Sequence, residues 1–231
     1  MEDNPYAVEP ASGPMPPAAP AHAPWTAFDD HLVHTCRVVH DLMHGRLSAR
    51  VPLPSTARLA PGELSLAVGP AARLTWRGLG DGSYSHSNVM AFGRPAFVLG
   101  SLAGNALGNA ARKSRAAADA QPRWVYDGNG ELTVTNRRAY LGQPNGFLDL
   151  NWTGLDTIDL AGPDVFQCSF QNTHTGGYST VRVQSMWASL MFALAAHVAF
   201  PAHPRLLSGG WLPPGFEARC AVFGVPCPPV R

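Results

Sequence analysis

The stretch GELTVTNRRAYL, Gly130 to Leu141, decides the fold. Leu132 and Val134 alternate with Thr133 and Thr135, the period-two pattern of a strand with one buried face. Tyr140 and Leu141, after Arg137 and Arg138, open a second strand. A polar turn is expected between them at Asn136, a residue type that tolerates the positive φ of a tight hairpin. Outward from this hairpin the same texture repeats. LAPGELSLAV (Leu59 to Val68) reads as a Pro-Gly turn followed by alternation, and ARLTWRGL (Ala72 to Leu79) alternates again. WVYD (Trp124 to Asp127) precedes the hairpin. FLDLNW (Phe147 to Trp152), LDTIDL (Leu155 to Leu160), VFQCSF (Val165 to Phe170) and YSTVRV (Tyr178 to Val183) follow it. Short runs spaced by about 8 to 12 residues, with Gly, Pro or Asn between them, predict an antiparallel sandwich or barrel.

The last run passes directly into SMWASLMFALAAHVAF, Ser185 to Phe200. Trp187, Leu190, Met191, Leu194 and Val198 fall on one helical stripe. Ser185 is the expected N-cap and Pro201 the stop. Phe192, Ala193 and Ala196 make the opposite face apolar too, so this helix is expected to be covered on both sides, by the chain's own flanks. A second helix is expected over residues 26–47, with Phe28, Leu32, Val39 and Met43 on one face, Cys36 and Leu47 at its edge, and Gly45 near its end.

The hairpin wording "G-x-L-x-V/L-T-N-x-R" followed by an aromatic or aliphatic pair resembles bacterial PH-like and GRAM-like domains. The order of elements, short strands closed by one C-terminal amphipathic helix, is similar to theirs, as is the PGE opening at Pro61 to Glu63. The resemblance covers roughly residues 57–200. It implies an α+β, mainly β fold: a strongly bent antiparallel sheet or barrel capped by a C-terminal amphipathic helix, here with an extra N-terminal helix. The expected organisation is a disordered Pro/Ala-rich leader (1–24), the N-terminal helix (26–47), the PH-like domain (57–200) and an irregular Pro/Gly-rich tail (201–231). A Gly/Ala-rich insertion interrupts the domain at about residues 80–122.

The 231-residue chain is 45% apolar and only 14% charged, with a formal net charge of +1. Such a chain has no overall field to attract nucleic acid, so any anion must be met by a local patch. The four cysteines, Cys36, Cys168, Cys220 and Cys227, include no C-x2-C pair, so a zinc ribbon is not expected and the thiols read as free. No secretory signal and no apolar run long enough to span a membrane are read from the sequence, which makes the cytoplasm the expected location.

Candidate site residues come from the insertion and the hairpin. In AFVLGSLAGNALGNAARKSR (Ala96 to Arg115), Gly100, Gly104 and Gly108 recur every fourth residue, a spacing that lets helices approach closely. With Phe97 they are candidates for membrane contact or self-association. Arg112, Lys113 and Arg115 follow as a basic end suited to an anionic surface. Arg137 and Arg138 join them as lipid or anion candidates. Arg73 and Arg77 complete the basic set, because PH-like domains that read phosphoinositides hold phosphate with Lys and Arg on early strand loops. HDLMH (His40 to His44) lacks the glutamate and third ligand of a zinc protease, so no metal is expected. No nucleophile elbow, phosphate loop or dinucleotide fingerprint occurs, and neither catalysis nor a cofactor is expected. The reading favours a non-enzymatic binding or scaffolding module that contacts anionic membrane or lipid headgroups at the inner membrane face. The alternative is a module that binds a protein or peptide partner, or assembles into a homo-oligomer, without lipid.

Overall fold

One long strand organises the molecule. The computed structural model describes residues 23–79, 113–172 and 176–230. Its strand β1 (Ser65–Arg77) pairs along its length with β2 (Arg123–Thr135), and over Ala72 to Thr75 also with β7 (Tyr178–Gln184). From β2 the sheet continues through β3 (Arg138–Gln143) to β4 (Gly146–Asn151). From β7 it continues through β6 (Val165–Gln171) to β5 (Thr157–Gly162). All seven strands pair antiparallel, in the order β4-β3-β2-β1-β7-β6-β5. The fold is therefore α+β and mainly β.

Several sequence expectations need correction here. Gly69-Pro70 was expected to separate two strands, yet β1 runs through it. Pro70 lies opposite Glu131 of β2, while pairing with β7 begins only at Ala72. Its missing N–H therefore breaks no bond on the β7 side, and its carbonyl accepts from Ser185 Oγ at 3.0 Å. WVYD and the first hairpin strand are likewise one element, β2. It passes β3 so closely that a Cβ on Gly130 would lie 2.1 Å from the Gly142 carbonyl oxygen. Asn136 does not take a positive φ: no described non-glycine residue does. Instead its Oδ1 accepts from Leu64 N at 2.8 Å, and its own N–H donates to Leu64 O at 3.2 Å. The asparagine thus fixes the entry loop to the hairpin.

The entry loop is also held by charge. Glu63, whose side chain is 1% exposed, accepts from Arg138 Nε at 2.8 Å, Thr135 Oγ1 at 2.9 Å and Ala60 N at 2.8 Å. Burial works against its charged form, but the hydrogen bonds from Arg138, Ala60 and Thr135 outweigh that and hold the carboxyl below its usual range.

Helix α1 (Ala27–Met43) starts on a capping box: Thr26 Oγ1 accepts from Asp29 N, and Asp29 Oδ2 accepts from Thr26 N at 2.7 Å. It ends earlier than expected, on Gly45 at φ 67°, with Gly45 N bonded to Leu42 O and Arg46 N to Asp41 O. That bond pair is a Schellman ending, which glycine alone adopts without a Cβ penalty. Its buried face is Leu32, Val33, Thr35, Cys36, Val38 and Val39, whereas Met43 overhangs into solvent. A short helix, α2 (residues 113–120), leads into β2.

Helix α3 (Ala188–Ala199) is capped by Trp187, not Ser185. Ser185 instead bonds the Pro70 carbonyl and receives Trp187 N. Every residue from Ala188 to Ala196 is buried; Val198 is not. The tail, expected to be irregular, forms α4 (Pro204–Leu207) and α5 (Phe216–Val222). Trp211, Leu212, Phe216 and Cys220 from the tail share one core cluster with α1, α3 and the sheet. The flanks thus cover the second face of α3, as its composition requires.

The start of the described chain and helix α5 are clasped together. Asp29 pairs with Arg219 of α5 at 2.8 Å, and Arg219 also donates to the carbonyls of Ala23 and Pro24. Trp25 lies against Phe223 at 5.3 Å. The Arg219 hydrogen bond is the main reason the Asp29 carboxyl is held down to about 2. A depressed carboxyl adds stability above its unfolded pKa of about 3.9 and loses it as pH falls toward the folded value. Acid titration of unfolding should therefore show the native chain losing more stability between pH 4 and pH 2 than Asp29→Asn does. Parallel curves for the two would remove the clasp from the acid response.

Candidate functional site

Beyond Ala72 the interior face of β1 changes character. Arg73, Thr75 and Arg77 alternate onto one side of the strand. Arg73 lies opposite Val183 and Thr75 opposite Val181, both buried core residues of β7. The face that is dry near α3 is thus polar toward the end of β1. At that point the β1–β2 register shifts: Arg73 pairs with Gly128 and Leu74 with Tyr126, leaving Asp127 as the extra residue of a bulge. A bulge re-aims a side chain, and this one turns Asp127 toward the three β1 residues.

Asp127 accepts from Thr75 Oγ1 and pairs with Arg77 at 2.6 Å and Arg73 at 3.3 Å. Arg73 Nε is buried and off the hydrogen-bond line, so it has an ionic partner but no hydrogen bond. Arg77 is 55% exposed. These side chains line a cleft of about 630 Å³, walled further by Asn129, Gln143 and Asn145. A second opening of about 610 Å³ shares Arg73 and Phe147 with it and continues along β4. The cleft lies among three connections of the sheet: the end of β1, the β3–β4 turn and the start of β7.

Its rim is aromatic and exposed. Trp76 is 46% exposed, Phe147 63% and Tyr178 78%. Trp76 rests on Trp124 at 5.3 Å, and the Arg182 guanidinium sits 4.0 Å over the Trp124 ring, a cation–π contact. Leu79 N donates to Asp119 O at 2.7 Å, which holds α2 to the same end of the β1–β2 ladder. Lys113 and Arg115, two of the expected basic residues, are exposed on α2.

The other expected residues fall elsewhere. Arg138 is engaged by Glu63, by Asp149 and by the Arg58 carbonyl at 2.7 Å, so its guanidinium holds the entry loop. Arg137 is exposed beside Gly62. Neither lines the cleft. Phe97, Gly100, Gly104, Gly108 and Arg112 lie outside the described residues. The sequence reading missed Asp127, Gln143, Phe147 and Tyr178 as site residues. One signal was legible, the Arg73-x-Thr75-x-Arg77 alternation that places two guanidinium groups on one strand face.

Among the described residues no three His, Cys, Asp or Glu side chains form a group able to hold a metal ion. Arg46 donates to His40 Nδ1 at 2.9 Å, and His44 Nδ1 bonds the His40 carbonyl at 2.7 Å. The cysteines are free, and burial pushes the Cys36 and Cys168 thiols up, with Cys220 raised to about 12. No described helix is long and apolar enough to cross a membrane. No protein-family model matches the chain, and no curated protein does.

Proposed function

We propose that this protein is a non-enzymatic binding module of PH-like architecture that docks on an anionic membrane surface, taking a lipid headgroup into the Arg73/Arg77 cleft. Three features support the PH-like reading: the strand order, a β1 that serves both halves of the sheet, and a helix following β7. The observation that carries the function is the cleft itself. It combines arginine side chains with Trp76, Phe147 and Tyr178, exposed near the ends of three different strands around it. Aromatic side chains favour the headgroup level of a bilayer, and guanidinium groups match phosphate oxygens. Exposed Lys113 and Arg115 at the same end of the β1–β2 ladder add to the attraction.

Co-sedimentation with neutral and anionic vesicles at low and high salt tests this. The native chain should pellet with anionic vesicles at low salt and be released at high salt. Arg73→Ala and Arg77→Ala should each weaken binding about fivefold, the value of one basic side chain near a charged surface. Absence of binding, or binding indifferent to both substitutions, would sink the proposal. It would also turn the search to the alternative, a peptide partner or a second copy of the chain, which light scattering across concentrations would reveal.

A further inference from the structure

The cleft holds its own counter-charge. Two guanidinium groups face one carboxylate, so a ligand meets a single uncompensated positive charge. The carboxylate is built in: it is the bulged residue of β2, it is anchored by the Thr75 hydroxyl, and its side chain is only 14% exposed. The remaining wall is neutral and amide-rich. Asn129 and Asn145 are exposed there, and Gln143 Nε2 reaches the Asp127 carbonyl at 3.5 Å. Amides both donate and accept, which suits hydroxyl groups better than further phosphate.

Resting on the membrane-docking reading above, we infer that Asp127 sets the ligand class: a headgroup with one phosphodiester charge and free hydroxyls, such as phosphoglycerol, and not a multiply phosphorylated one. The single phosphodiester takes the outer N–H groups of Arg77 and Arg73 while its hydroxyls meet the amides. A second phosphate would face the Asp127 carboxylate at close range in a partly desolvated cleft. Like charges so placed act as a repulsive selector against the wrong ligand.

The test compares vesicles of phosphatidylglycerol with vesicles containing a phosphatidylinositol bisphosphate, diluted in neutral lipid to equal total charge. Native protein should bind phosphatidylglycerol vesicles about tenfold more tightly, the effect of one close like-charge contact. Asp127→Asn should abolish or reverse that preference by strengthening binding to the bisphosphate. Soluble glycerophosphoglycerol should compete at millimolar concentration if the cleft reads the headgroup, and should not if attraction is to the surface alone. Equal binding of the native protein to both charge-matched vesicles would overturn the inference and leave membrane docking standing. Binding to neither would remove the docking proposal itself. The native comparison needs no variant, and a melting curve of Asp127→Asn establishes that it is folded before its preference is read.

Discussion

Glu63→Ala is expected to lower the unfolding free energy by about 3 kcal/mol, near the low end for breaking a buried ion pair. The Glu63 carboxylate is enclosed and accepts from three groups, so its removal leaves Arg138 Nε and Ala60 N without that acceptor, while Thr135 Oγ1 keeps the Arg138 carbonyl at 3.0 Å. The loss is kept to the low end because Arg138 is 20% exposed and retains Asp149 and the Arg58 carbonyl. Glu63→Gln provides the discriminating comparison. It fills the same space and can still accept from Thr135 or Ala60, so it should cost less than the alanine change. Chemical denaturation of the three proteins decides the matter. Equal losses for both variants would mean that packing, and not the acceptor set, holds the entry loop.

Phe192→Ala should cost about 3–5 kcal/mol, as expected for emptying a large buried aromatic site. Phe192 is fully buried on the side of α3 away from the main stripe, with its ring centroid 5.0 Å from that of His203. His203 reaches the Ile158 carbonyl at 3.1 Å, so the cavity would open where sheet, helix and tail meet. Phe192→Leu should recover much of the loss. A thermal melt within a degree of the native value for the alanine variant would show that the tail collapses into the space.

How far the sequence could be read depended on how local each cause was. The hairpin from Gly130 to Leu141 announced itself because alternation needs only neighbouring residues, and β2 and β3 do pair, but the one buried face read from it is wrong: Thr133 and Thr135 are buried as fully as Leu132 and Val134. The mostly apolar composition of α3 also told the truth, since a helix apolar on both faces must be covered on both, as α3 is from Ala188 to Ala196. Gly69-Pro70 misled because proline is a ladder-breaker only on a side that is paired, and which side is paired is decided by β7, more than a hundred residues away. The same distance hid Ser185: its hydroxyl looked like a cap but bonds a carbonyl of β1. The tail read as irregular because its few apolar residues have no period of their own; they pack on α1 and α3.

The cleft was half legible. Arg73 and Arg77 stood out as cations, but their carboxylate lies fifty residues away from Arg77 and reaches them only through a register shift. No periodicity encodes such a shift. Phe147 and Tyr178 occur in the sequence as ordinary strand-end aromatics, and only the antiparallel order of the sheet gathers them on one rim. Arg138 shows the converse: a basic residue in a conspicuous motif whose charge is neutralised from within the fold by Glu63 and Asp149.

The clasp of Arg219 on Ala23, Pro24 and Asp29 makes the start of the described chain and α5 neighbours. No residue of α1, α3 or α5 lines the Arg73/Arg77 cleft. A fluorophore carried on the clasp itself, at Ala23 or at the exposed Val222 of α5, would therefore sit beside the helices and away from the cleft.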